Sequence, residues 1–209
     1  MTEETEPTTE TRAAKAPDTE APDTRVPDTR ARTAEASPGD VAEPRLLTAD
    51  DFLAANREWM REFPFGGLHV RPGRRLVILT CMDSRYTAQG VLGVEMGGAH
   101  VVRNAGGRVT DDAIRSLVLS AHALGTRECV VIHHTNCGLL DKTNEGIRDQ
   151  VTEATGQDAS HIDFLPFSDV AQSVREDLAL LRACTLLPRG YQAIGFVYDV
   201  LTGRLEPVE

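Results

Sequence analysis

Cysteine is scarce in this chain, with four residues (Cys81, Cys129, Cys137 and Cys184) among 209. That is too few for a disulfide scaffold, so reduced thiols and a cytoplasmic setting are expected. Basic residues are in the minority, 22 Lys+Arg against 32 Asp+Glu. Such a balance argues against nucleic acid or an anionic membrane as a partner. No apolar run approaches the roughly 20 residues that span a bilayer. The start, Met1-Thr2-Glu3-Glu4, is acidic and lacks an apolar stretch, so no secretory signal is expected. Neither G-x-G-x-x-G nor a P-loop motif is present, which removes the common nucleotide-binding fingerprints.

Residues 1–45 lack Leu, Ile, Phe, Tyr and Trp entirely, and Met after the first residue. Pro, Thr, Ala, Asp and Glu dominate, and Ala16-Pro17-Asp18-Thr19-Glu20 is followed by two near copies at Ala21–Arg25 and Val26–Arg30. A segment this poor in apolar surface cannot offset its ordering entropy, so residues 1–45 are expected to be a disordered tail. The remainder, 46–209, is long enough for one domain with a sizeable core.

Within that remainder, helix and strand signals alternate. Thr48 and Asp51 read as the start of a helix over 51–63, ended by Pro64. Strands are expected at 75–80, 99–103, 129–133 and 191–200, with a short edge strand at 204–207. A helix or turn is expected at 86–92, and helices at 111–124, 143–155 and 168–183. Gly125 and Gly156 are placed to end two of them. The alternation implies an α/β fold: a mostly parallel central sheet flanked by helices.

Two strings carry the chemistry. Cys81-Met82-Asp83-Ser84-Arg85 follows the apolar run Leu76–Thr80, and His133-His134-Thr135-Asn136-Cys137-Gly138 follows Cys129–Ile132. Such runs read as buried parallel strands, so both strings sit at carboxyl strand ends, where open α/β sheets place their sites. Two thiols and an imidazole form a three-ligand zinc site that leaves a fourth position open, the form catalytic zinc takes. Alternation along the strand puts His133 and His134 on opposite faces. Either could serve, and His134, nearer the strand end, is preferred. Cys129 and Cys184 read as small buried hydrophobes instead. A cysteine nucleophile with a histidine base would leave the second thiol idle. Asp83 beside Arg85 is held as a carboxylate, able to orient a metal-bound hydroxide or to swing in as a fourth, inactivating ligand. The string Asn104-Ala105-Gly106-Gly107 reads as a tight turn that needs glycine.

Cys81-x-Asp83-Ser84-Arg85, Arg103-Asn104-Ala105-Gly106-Gly107 and His134-x-x-Cys137-Gly138, in that order, resemble the β-class carbonic anhydrases, and His133-His134-Thr135-x-Cys137-Gly138 with Val109-Thr110-Asp111-Asp112-Ala113-Ile114-Arg115-Ser116 resembles a small bacterial subgroup of them. The resemblance covers roughly 46–209 and implies reversible hydration of carbon dioxide to bicarbonate by zinc-bound hydroxide. It implies Zn2+ held by Cys81, His134 and Cys137, with Asp83 and Arg85 as the orienting dyad. It further implies an antiparallel edge strand and a homodimer or higher even oligomer. Asn136 departs from the subgroup, whose members commonly carry Asp there. A carbonyl sulfide or carbon disulfide hydrolase would keep all five residues. A non-enzymatic, zinc-stabilised binding protein would have no use for the Asp–Arg pair.

Overall fold

The computed structural model describes residues 45–209. The expected tail, 1–45, lies outside the described residues apart from Arg45. The chain divides into two units, Met1–Glu58 and Trp59–Glu209. No helix among the described residues is long and apolar enough to cross a membrane.

Helix α1 (Ala49–Arg61) opens on a reciprocal cap. Thr48 Oγ1 accepts from the Asp51 N–H at 3.3 Å, and the Asp51 carboxylate accepts from the Thr48 N–H at 2.7 Å. Two of the unpaired donors at the helix start are thereby satisfied. The helix consequently begins at Ala49, two residues before the expected start, because Thr48 itself is the cap.

The second unit carries a five-stranded sheet of order β2-β1-β3-β4-β5. Its strands are β1 (Leu76–Cys81), β2 (Ala99–Asn104), β3 (Glu128–His134), β4 (Gln192–Tyr198) and β5 (Leu205–Val208). The first four pair in parallel, and β5 joins β4 antiparallel. Pro207 is tolerated in β5 because an edge strand need not donate on its outer side.

Alternation along the strands divides the core into two layers. Val77, Leu79, Cys129 and Val131 face α3 (Asp111–His122) and α5 (Val170–Ala183), where Ala113, Leu117, Val174 and Leu178 are buried. Leu76, Ile78, Val130 and Ile132 face the other way, toward α2 (Ala88–Leu92), Val94 and the partly buried Phe196 and Tyr198. Cys129 is fully enclosed in the first layer and Cys184 packs at its margin, as expected of small hydrophobes.

The α-helices start at side-chain caps: Thr110 for α3, Thr143 for α4 (Asn144–Thr155) and Asp169 for α5. The Asp169 cap moves the start of α5 to Val170, two residues later than periodicity alone suggested. Gly156 closes α4 in the left-handed conformation. Gly125 also has positive φ, but lies two residues past the α3 cap residue Ala123. The tight turn at Ala105–Gly107 needs its glycines, since Gly106 and Gly107 take φ of 75° and 73°.

Gly195 in β4 lies directly under α5. A Cβ there would lie 2.8 Å from Leu178 Cδ1 and press still harder on Val174. Overpacking of this kind typically costs about 1–3 kcal/mol. Gly195→Ala is therefore expected to lower unfolding free energy by that amount in a denaturant titration, and an unchanged midpoint would refute the close contact.

Candidate metal centre

The strand order places the site. From β1 the chain moves outward to β2, and from β3 it moves the opposite way to β4, so the topological switch lies between the carboxyl ends of β1 and β3. Cys81 is the last residue of β1, and His134 is the last of β3. Cys137 follows in a turn in which Asn136 takes φ 53°, a left-handed conformation asparagine tolerates. The donor atoms of Cys81, His134 and Cys137 all lie within 4.8 Å of one another, and all three residues are buried. They are the only such cluster among the described residues.

His134 is poised to give away a lone pair. Its Nδ1 lies 2.9 Å from the Thr135 carbonyl, which can only accept, so the ring hydrogen resides on Nδ1. Nε2 is then a bare acceptor, buried and without a hydrogen-bond partner among the described residues. Leaving such an atom unpaired is costly unless something binds it. Fixing the distal nitrogen on a carbonyl is how proteins orient a metal-binding imidazole. An S, N, S donor set suits a divalent metal of borderline softness.

The sulfurs are tuned by their surroundings. Cys81 and Cys137 lie close enough for each thiol to shift the titration of the other. The Cys137 thiol pulls Cys81 well below the usual thiol range, with help from the Asp83 and Gly106 N–H groups, against opposing burial. Cys137 moves upward, first because of Cys81 and then because of burial. Gly107 permits this arrangement. Its φ is 73°, and a Cβ there would sit 2.8 Å from the Cys81 nitrogen.

Asp83 and Arg85 stand directly beside the cluster. Arg85 Nη2 donates to Asp83 Oδ2 at 2.6 Å, while its Nε and backbone N–H reach Oδ1 at 3.0 and 2.8 Å. This guanidinium holds the Asp83 carboxyl down at about 2. Asp83 Oδ2 lies 3.8 Å from His134 Nε2, too far for a hydrogen bond but adjacent to the bare nitrogen. Arg85 Nη2 also donates to the Asn136 carbonyl at 2.9 Å, tying the Cys81 turn to the Cys137 turn.

His133 points to the opposite face. Its Nδ1 lies 2.7 Å from Ser173 Oγ and its Nε2 3.1 Å from Asp177 Oδ2, which also faces Arg108 Nε at 3.1 Å. Sequence reasoning did not find this buried His133–Asp177–Arg108 group. Its members come from the turn after β2, the end of β3 and the middle of α5, so no local pattern joins them. The contacts of Arg103 were missed as well, although its motif was noticed.

A family model described as carbonic anhydrase matches residues 76–163. The chain is 37% identical over 165 residues to beta-carbonic anhydrase 1 of Mycobacterium tuberculosis, covering 78% of this chain and 99% of that one. It is 37% identical over 155 residues to the carbon disulfide hydrolase of an Acidianus strain, covering 63% of this chain and 76% of the other. A crystal structure of carbonic anhydrase from Streptococcus mutans is similar, with TM-score 0.75 and 45% identity over 79% of this chain and all (100%) of that one.

The donor set predicts metal content directly. Cys137→Ala is expected to remove most of the metal from the purified protein, whereas Cys184→Ala is expected to leave it unchanged. Elemental analysis decides: full metal in the Cys137 variant would show that this thiol is not a ligand.

Proposed function

Because the chain belongs to the β-carbonic anhydrase family, we propose that it is a zinc enzyme interconverting carbon dioxide and bicarbonate, with Cys81, His134 and Cys137 holding the metal and Asp83 and Arg85 as the dyad. The observation that carries this reading is the bare, buried His134 Nε2, set among two thiols with Asp83 Oδ2 alongside. Zinc bound there lowers the pKa of a coordinated water and so supplies the nucleophile.

The chain's own residues supply orientation. Asp83 is ionised, so it can only accept hydrogen bonds. Its Oδ2 takes the O–H hydrogen of the nucleophile and leaves the oxygen lone pair turned toward the carbon of the substrate. Arg85 holds that carboxylate by both oxygens and keeps it from turning toward the metal position. The residues 46–209 act as one domain in this reading, the tail takes no part, and the working form is a homodimer or higher even oligomer in the cytoplasm.

Hydrolysis of carbon disulfide or carbonyl sulfide is the second reading, favoured by the carbon disulfide hydrolase among the relatives. The same donors would serve it. A metal held only for stability is disfavoured, since a closed structural site gains nothing from a charged pair beside it.

The deciding experiment compares both substrates on the zinc-loaded chain. Hydration of carbon dioxide is expected to dominate and to rise from pH 6.5 to 9, because two thiolates weaken the Lewis acidity of the metal relative to neutral imidazoles. Asp83 does not cause the rise: its pKa is depressed to about 2, so its charge is constant across that window. A flat profile would contradict this account, and a marked preference for the sulfur substrates would replace it with the second reading.

Asp83→Asn keeps the size of the side chain and removes the acceptor charge. The variant is expected to retain zinc and to lose about 10²–10⁴-fold in hydration rate, as positioned proton-handling groups do. Wild-type turnover in that variant would reduce the Asp83–Arg85 pair to a bystander.

A further inference from the structure

Arg103 stands near the end of β2, and its guanidinium is spent on the backbone of one short turn. Nε donates to the Cys81 carbonyl at 2.8 Å, Nη2 to the Asp83 carbonyl at 2.5 Å and Nη1 to the Tyr86 carbonyl at 3.2 Å. These acceptors bracket a segment that holds one thiol of the cluster and both members of the Asp83–Arg85 pair.

Besides the bonds of Arg85 to Asp83 and to the Asn136 carbonyl, the segment has few other restraints. The Met82 N–H donates to the Asn104 carbonyl at 2.9 Å, extending the β1–β2 ladder by one residue. The next regular element is α2, capped by Thr87. Between them the chain turns, and three of its carbonyls are collected by a single side chain. Tyr86 anchors the far end: it is buried, its hydroxyl lies 2.7 Å from Thr80 Oγ1, and its ring centroid is 5.2 Å from the Arg103 guanidinium carbon. The turn is therefore held against the sheet at both ends and in the middle.

We propose that Arg103 is a positioning residue for the reaction, fixing the Cys81–Tyr86 turn so that Asp83 Oδ2 stays beside His134 Nε2. It acts through Asp83 and does not touch the reacting atoms, and the proposal rests on the reading of Asp83 as the orienting group. Arginine is required by geometry as well as by charge. Its planar guanidinium offers five N–H donors in a rigid fork, whereas lysine presents three from one point. A lysine at 103 keeps the charge but cannot span carbonyls contributed by three separate residues.

The test uses Arg103→Lys in the full chain. Zinc content is expected to stay unchanged while kcat/KM for hydration falls at least about tenfold, the loss expected when an orienting group is misplaced. Combined with Asp83→Asn, the lysine substitution is expected to add nothing, because the group it acts through is already gone. Losses that multiply in the double variant, or zinc lost in step with rate, would overturn the proposal. Hydrogen exchange provides a readout independent of turnover. The Arg85 N–H, bonded to Asp83 Oδ1 at 2.8 Å, is expected to exchange faster in the variant, with protection of β3 and α5 unchanged. Unchanged exchange over residues 82–86, or a loss of protection across the sheet, would overturn it. Should the lysine variant fail to fold, Arg103→Gln, which keeps two N–H donors, takes its place in each measurement with the same expected and overturning results. A wild-type chain that turned over neither substrate would refute the functional reading, and the exchange data would still decide whether Arg103 sets the turn.

Discussion

The parallel pairing of β1 with β3 is the constraint from which the rest of the site follows. Leu76 lies opposite Glu128 and Thr80 opposite Ile132, so the two strands end side by side at Cys81 and His134. Side chains alternate with a period of two, and a slip of one residue in β3 would exchange the faces of His133 and His134. The imidazole beside the sulfurs would then be turned into the helical layer. Register is held by burial on both faces, since every residue of β1 is buried, as are Cys129 through His134 in β3.

The two histidines show how completely the faces differ. His134 is left with one unpaired nitrogen in a pocket of soft donors. His133 has a hydroxyl and a carboxylate within reach and stacks on Phe167, with ring centroids 5.9 Å apart. Arg108 also stands over that phenyl ring and pairs with Asp177. A buried charge is tolerable only when paired. This group therefore links the end of β3, the turn after β2 and α5 as one assembly. It supports the site from behind while taking no part in the donor cluster.

On the open side, two arginines divide the work. Arg85 binds the Asp83 carboxylate and the Asn136 carbonyl, and Arg103 binds the backbone that carries Asp83. Both are substantially exposed, so their value lies in geometry more than in stability, because exposed ion pairs contribute little energy. The fold itself accommodates both carbonic anhydrases and carbon disulfide hydrolases among the relatives. Activity is a property of sites grafted onto folds, which is why the proposed substrate is argued from the donor set and dyad.

The sequence by itself determined most of the architecture. Apolar β-branched runs with turn residues between them located all five strands within one or two residues at most ends. Capping residues and the glycines after α3 and α4 marked the helix limits less evenly: the first helix was expected over 51–63 and spans Ala49–Arg61. Strand alternation also separated His133 from His134 before any coordinates, since parity is a local property of the backbone. Other features depend on distances that only the folded chain defines. The bareness of His134 Nε2 requires knowing that Nδ1 meets the Thr135 carbonyl and that no hydrogen-bond donor among the described residues reaches Nε2. The closeness of Cys81 and Cys137, the His133–Asp177–Arg108 group and the three carbonyls under Arg103 join residues from distant parts of the chain. Periodicity and propensity report on neighbours along the chain, whereas these contacts arise where the sheet brings distant segments within hydrogen-bond reach.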